Sequence, residues 1–457
     1  MPFLKTIKLS YAPRPIGCGG FLYAYILYSA LITYYFTDVL GITAAATGTL
    51  LLVSRIWDGI NDPMMGAFID RTNTKWGKCR PYILAGGIWL AVSSALLFTN
   101  PGIQSNAGKL VWAYVIYNSF GMAYTMYCIS LKTLTRRITT TRQEIISVNS
   151  YGFAGTSIAS IIFSSLLMTI IGWFSTNGDV SKGYQWSGVL AGALILITMW
   201  AFFSLKENTF EDEVSNGNRE KKSVWTAFKY MLKNKSYMGF CLGSMIGYFG
   251  YYLSASTMMY YCVYSLGKAE YFSVLNTIDY ATPIIAAILM PYITKRFEKK
   301  TVIVVGTLLA AFAYGMRFVT GDPNLFVMVV LALLAGTGLG LWNVLFTPVC
   351  LDCAVQGEYE SGMRSDALYV SSLSLLQKVC TGLGGATVGY VLAAVGYVAN
   401  AESQSARAMS AIKFCALAGA AITCLVTAVI FVLFYKLNNR KIEEMNKAIL
   451  ERSTAAE

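Results

Sequence analysis

Histidine is absent from the 457 residues. Without it a chain cannot build a hydrolase around a histidine base, a histidine-ligated metal or an imidazole proton relay. Charge is also scarce. Asp, Glu, Lys and Arg make up 13% of the sequence, about half of the roughly 25% of an average soluble protein. That cannot cover a soluble globule of this size, and it argues against a soluble enzyme. No G-x-x-x-x-G-K-[ST] occurs, so no P-loop is present to hold a nucleotide phosphate. The ten cysteines sit mostly in apolar runs, where cysteine behaves as a small hydrophobe. Cys350-x-x-Cys353 lacks the second pair that a zinc site of this type needs. What the chain does have is 55% hydrophobic and 14% aromatic residues, gathered into long runs.

About 20 apolar residues cross a bilayer core of roughly 30 Å. The runs predict twelve spans, at 16–36, 40–66, 81–99, 110–131, 145–172, 186–204, 236–264, 271–293, 301–319, 324–349, 366–398 and 409–435. Each must be helical, because backbone groups in lipid need internal partners. Lys and Arg orient them. Of the 36, 28 fall in segments that share one face if the N-terminus is inside, and four (Lys109, Lys182, Lys268, Arg407) fall on the other face. The same distribution removes a nucleic-acid partner, since the net charge of +12 is spread over seven cytoplasmic segments. No cleavable signal peptide is expected, and both termini are expected to be cytoplasmic in a multi-pass plasma-membrane protein. The polar stretch 205–235 divides the chain into an N-terminal six-helix bundle (1–204) and a C-terminal one (236–435), with a cytoplasmic tail (436–457). This is the arrangement of a two-bundle secondary transporter. The fold expected is thus all-α, with twelve transmembrane helices in two six-helix bundles, and a monomer is expected.

Ionisable residues at membrane depth are costly and usually functional. Asp58 and Asp62, four apart in span 2, share one helix face, and Asn61 beside them can add a carbonyl oxygen. Two close carboxylates repel unless a cation lies between them or one is protonated. The alternative is that both pair with Arg55 and the basic loop as a structural gate. The loop that follows, with Asp70, Arg71, Lys78 and Arg80, reads as a gate or helix clamp, as do Glu358 and Arg364 between spans 10 and 11. Lys378 lies near the middle of span 11 and needs either a function or an acidic partner on another helix. Asp279 in span 8 is the acid to test as that partner; for it, a buried ion pair, a substrate contact and a proton carrier all stay open. Span 7 is rich in tyrosine, suited to packing and to lining a mixed polar–apolar cavity.

Arg55-Ile56-Trp57-Asp58-x-Ile60-Asn61-Asp62-Pro63 resembles the signature of the glycoside–pentoside–hexuronide:cation symporters, the melibiose-permease-like branch of the major facilitator superfamily. The likeness extends to Tyr34-Tyr35-Phe36-Thr37-Asp38-Val39, Trp76-Gly77-Lys78-x-Arg80-Pro81, Gly121-Met122-x-Tyr124-Thr125, Gly357-Glu358-Tyr359 with Arg364, Lys378 and Gly396-Tyr397-Val398-x-Asn400. The resemblance implies the major facilitator fold. It also implies a coupling cation (Na+, Li+ or H+) on Asp58, Asn61, Asp62 and Thr125, with no other cofactor. It places Trp342, Lys378 and Tyr124 at the substrate site. There the sequence departs from its relatives: Cys128 stands where they carry a hydroxyl-gripping aspartate, Lys132 where they carry a tryptophan, and Tyr151 near their helix-5 arginine.

The expected function is therefore a cation-coupled symporter that imports a sugar, glycoside or uronide-like solute by alternating access, and no enzyme activity is expected. Lys132 and Lys378 would favour an anionic substrate. The alternatives are symport of a non-sugar amphiphilic or anionic solute, or a membrane sensor that keeps the fold without transport. Partners are the small-molecule substrate, the cation and the lipid bilayer.

Overall fold

The structure is a computed structural model that describes residues 24–72, 74–138, 142–175, 179–203, 224–321, 324–362, 366–401 and 403–454. It is built of helices. Helix α1 covers 24–39, and two of its turns, Leu27–Leu31 and Tyr35–Val39, are π-helical. Then come α2 (Ala44–Arg71), α3 (Arg80–Leu97), α4 (Asn106–Ile138), α5 (Arg142–Phe174) and α6 (Val180–Phe203). A short α7 (Val224–Lys233) precedes α8 (Lys235–Tyr260), which ends in a π-helical turn, Tyr261–Ser265. They are followed by α9 (Tyr271–Ile293), α10 (Lys299–Thr320), α11 (Leu325–Ser361), α12 (Asp366–Ala394), α13 (Ala406–Phe434) and α14 (Asn439–Thr454). Each expected span falls on helix, the first from residue 24 onward. The sequence reading did not anticipate α7 and α14, which lie in stretches taken as polar loop and tail.

Local signals start and stop these helices. Thr43 accepts from the Ala46 amide at the head of α2, and Asn234 and Asn324 accept from Tyr237 and Val327 at the heads of α8 and α11, the usual N-cap bond. Gly321 and Gly362 follow α10 and α11 in the left-handed region, where a side chain would be strained.

Six helices among the described residues are long and apolar enough to cross a membrane by length and composition: Arg80–Leu97, Val180–Phe203, Tyr271–Met290, Lys299–Thr320, Leu325–Ser361 and Ala406–Phe434. Helix α2 is not one of them, because Arg55, Asp58, Asn61 and Asp62 interrupt its apolar run. Trp173, Trp200, Phe312, Val319 and Phe326 are each more than half exposed, as lipid-facing side chains are. Water would not tolerate so much exposed apolar surface, and the chain is a multi-pass membrane protein.

The chain forms two compact units. One comprises Met1–Ser215 with Cys262–Thr277 and Gly385–Ala408; the other comprises Asn216–Tyr261, Ile278–Gly384 and Met409–Glu457. The first unit thus takes in short pieces from beyond the polar stretch 205–235, and the second holds the rest of the C-terminal helices. In each, small residues bring two helices close together. A Cβ on Gly188 or Gly192 of α6 would stand 2.8 Å and 2.7 Å from the Ser94 and Ala91 carbonyl oxygens of α3. One on Gly338 of α11 would collide with the Gly306 carbonyl oxygen of α10. Lipid offers no hydrophobic drive between helices, so such close van der Waals contact is what holds them.

Candidate cation site

Helix α2 packs against α4 in the first unit, and its acidic face is turned toward that neighbour. Asp58 is buried, and its Oδ2 accepts from Arg55 Nη1 at 3.0 Å, one turn away. Asp62, half-buried, accepts on Oδ1 from the Thr125 hydroxyl of α4 at 2.9 Å. Asn61 is buried as well, and its amide nitrogen has no hydrogen-bond partner among the described residues. Half a turn of that amide about its Cβ–Cγ bond puts an acceptor oxygen in the same place. Opposite Asp58, α4 carries Gly121. A Cβ there would lie 2.9 Å from Asp58 Oδ1, so the absent side chain keeps room over the carboxylate. Two carboxylates, an amide and a hydroxyl form the all-oxygen donor set that a hard cation prefers. The residues present therefore fit a small monovalent ion.

Arg55 lies against aromatic rings. Its guanidinium sits over Tyr28 of α1, 5.3 Å from the centroid. Tyr28 stacks on Tyr117 and Phe120 of α4, at 4.8 Å and 4.4 Å. A cation over such faces gains from the ring quadrupole. Tyr25 stacks on Tyr124 at 5.3 Å, and Cys128 follows Tyr124 by one turn of α4. The structure thus brings Asp58, Asn61, Asp62, Thr125, Arg55, Tyr124 and Cys128 into one neighbourhood. Sequence reasoning missed Gly121 as a spacer and Tyr25, Tyr28 and Tyr117 as the ring wall. A glycine leaves no local signal of the group it makes room for, and the tyrosines come from two helices far apart in sequence. Asp58 thus pairs with Arg55, and Asp62 takes the Thr125 hydroxyl. For Lys132 and Tyr151 the side chains lie outside the described ones.

In the second unit, Trp342 of α11 is buried against Tyr248 of α8, ring centroids 4.4 Å apart. The Tyr248 hydroxyl accepts from Gln377 Nε2 of α12 at 2.8 Å, beside half-buried Lys378. Asp279 of α9 lies in the neighbourhood of Arg317 of α10, which is buried to 2% exposure, and Tyr251 and Tyr314 share this neighbourhood.

Among the residues expected to gate, Arg80 is a clamp. Its Nε and Nη2 donate to the Phe203 carbonyl at 2.9 Å and 2.7 Å and close the C-terminal end of α6. Lys78 and Glu358 are half-buried. The side chains of Asp70 and Arg71 lie outside the described ones, and Arg364 lies outside the described residues altogether. An ion pair not anticipated, Lys299 to Asp352 at 2.7 Å, ties α10 to α11.

The sequence matches the family described as MFS/sugar transport protein over residues 15–439. It is 30% identical to the isoprimeverose transporter of Lactiplantibacillus pentosus, with 98% of this chain and 92% of that one covered. It is 26% identical to a glucuronide carrier protein homolog of Escherichia coli (strain K12), over 93% and 91%. It is 25% identical to a candidate glycoside/cation symporter of the same strain, YagG, over 98% and 95%. Among solved structures, a bacterial homolog of the human lysosomal transporter Spinster superposes with a TM-score of 0.66 at 15% identity, over 97% of both chains. A D-xylose–proton symporter gives 0.63 at 13%, over 94% and 98%. These two likenesses speak to the fold, which is that of the major facilitator transporters.

Proposed function

The chain belongs to the MFS/sugar transport protein family, and from that premise we propose that it is a cation-coupled symporter importing a sugar or glycoside. The observation that carries this reading is the oxygen cluster on α2 and α4: Asp58, Asn61 and Asp62 on one helix face, with the Thr125 hydroxyl on Asp62 and Gly121 leaving room over Asp58. Its relatives' names, which include an isoprimeverose transporter and a glucuronide carrier, support a glycoside as the substrate class.

Arg55 acts in this account as a tethered stand-in for the ion. It neutralises Asp58 when the cation is away. The arriving cation takes the carboxylate oxygens, and the guanidinium keeps its seat over the Tyr28 ring. Tyr124 and Cys128 lie on α4 within one turn of Thr125, so occupation of the ion site reorganises the wall that meets the sugar. The ion and the sugar then raise each other's affinity by the same factor, as linkage requires. The N-terminal and C-terminal six-helix bundles rock about a midplane site, in a monomer in the plasma membrane with both termini cytoplasmic. Sodium is the first ion to test, and lithium and protons are the other two. Lys378 gives the C-terminal wall a positive charge, suited to a uronide carboxylate or to a sugar hydroxyl.

The test is uptake into proteoliposomes by a panel of neutral glycosides and their matching uronides, under sodium, lithium and proton gradients. Accumulation of one of them driven by one of the gradients is the expected result. Binding without flux under every gradient would identify a sensor and overturn the transport reading.

A further inference from the structure

A second buried carboxylate belongs to no part of the account above. Asp38 lies in the π-helical turn Tyr35–Val39 at the end of α1 and is 4% exposed. Its Oδ1 accepts from the Tyr264 hydroxyl at 2.5 Å, the Tyr397 hydroxyl at 2.6 Å and the Asn400 amide at 3.3 Å. Its Oδ2 accepts from the Thr37 hydroxyl at 2.6 Å. The two tyrosine hydroxyls are themselves 3.0 Å apart. The Asn400 side chain returns to the Asp38 carbonyl.

Three segments distant in sequence meet here: the end of α1, the π-helical turn after α8, and the loop between α12 and α13. All belong to the first compact unit. Charge-assisted bonds from several donors are the strong kind, and a buried carboxylate needs them. Two features set the cluster apart from ordinary packing. Asp38 and Tyr264 each occupy a π-helical turn, a local departure from the α-helical ladder that is frequent at functional sites. Asn400, at φ 57°, is the one non-glycine among the described residues with positive φ, and it occupies that conformation with its amide and side chain both bonded to Asp38. Asparagine is one of the few residues that adopts this conformation readily, and here its two bonds to Asp38 hold it there. The charge bias of the loops puts this end of the helices on the outer face.

We propose that Asp38, Tyr264, Tyr397 and Asn400 form a reversible outer latch, closed by one carboxylate, whose breaking opens the transport path on that face without itself binding cation or sugar. The proposal rests on the symporter reading, because only a protein that alternates between faces needs to break it.

The test is hydrogen–deuterium exchange on the full chain in lipid nanodiscs, with no sugar present, in sodium chloride and in choline chloride. In the Asp38→Asn and the paired Tyr264→Phe, Tyr397→Phe variants, exchange in 262–270 and 396–405 should rise by at least about tenfold, the mark of a local opening. Exchange in α3 and α6 should stay as in the unaltered protein. The phenylalanine pair keeps the packing and the carboxylate, so it carries the test if Asp38→Asn does not fold. Unchanged exchange in both segments would overturn the latch. So would a rise spread evenly over the chain, which would make the cluster a general stabiliser. In the unaltered protein, sodium should raise exchange in the same two segments. If the variants open the segments and sodium does not, the latch stands and the cation reading fails.

Discussion

Asp38 and Asp58 are both buried carboxylates of the first unit, 20 residues apart in sequence, and their surroundings are opposite. Around Asp38 stand hydrogen-bond donors: three hydroxyls and a backbone amide. Three of them converge on Oδ1 and one on Oδ2, so the charge is met by hydrogen-bond donors. Around Asp58 and Asp62 stand oxygens that a cation can share, one guanidinium, and a glycine where a side chain would crowd Asp58. The comparison teaches that burial alone does not make an aspartate an ion ligand. The balance of donors and acceptors around it decides.

Substitutions can break this contrast. The largest effect is expected from Asp62→Asn, which removes one of the two charges and should cut cation-driven accumulation by about a hundredfold or more, since even an outer-shell partner of a bound metal is worth about 10–100-fold. Downhill exchange should suffer less, and normal accumulation in the variant would remove Asp62 from the site. Gly121→Ala comes next. Its Cβ would stand 2.9 Å from Asp58 Oδ1, and overpacking of that kind costs about 1–3 kcal/mol, so cation affinity should fall by about tenfold or more. Binding titrations that show no change would mean that Asp58 does not take part. Thr125→Val deletes a hydrogen bond to a charged acceptor, worth about 1.5 kcal/mol, and should weaken cation affinity by roughly tenfold while sugar still binds at saturating cation. The smallest effect sharpens the comparison from the other side. Tyr397→Phe should weaken cation binding by no more than about twofold, because Asp38 is not a ligand, and since the latch and the ion are linked through the change of state any shift should be toward tighter binding. A larger drop would join the two carboxylates into one site.

The helices were legible because lipid imposes length and apolarity on every span. The run 40–66 falls on Ala44–Arg71 and 271–293 on Tyr271–Ile293. Where a helix continues into water the signal ends, so the run 324–349 gives no warning that α11 continues to Ser361, or that 439–454 is helical. Asp58 and Asp62 declared themselves through four-residue spacing. Thr125 did not, because its contact with Asp62 spans 63 residues, and only the family resemblance named it. Asp38 appeared as a letter in a motif without a role. Its partners lie 226, 359 and 362 residues away, and no local pattern reports such distances. Arg317 gave no local signal for the same reason: Asp279, the acid in its neighbourhood, lies on another helix.

The central claim is that the α2–α4 oxygen cluster binds the ion that the sugar feels. It is tested most directly by a reciprocal titration of the purified protein with the glycoside that the uptake panel identifies. Glycoside affinity is measured with and without sodium, and sodium affinity with and without glycoside. The account predicts that each raises the other's affinity by one common factor of about fivefold or more, the usual scale of coupling between two sites, and that Asp62→Asn reduces this factor to one. A glycoside affinity indifferent to sodium, lithium and pH, or a factor that survives in Asp62→Asn, would contradict it.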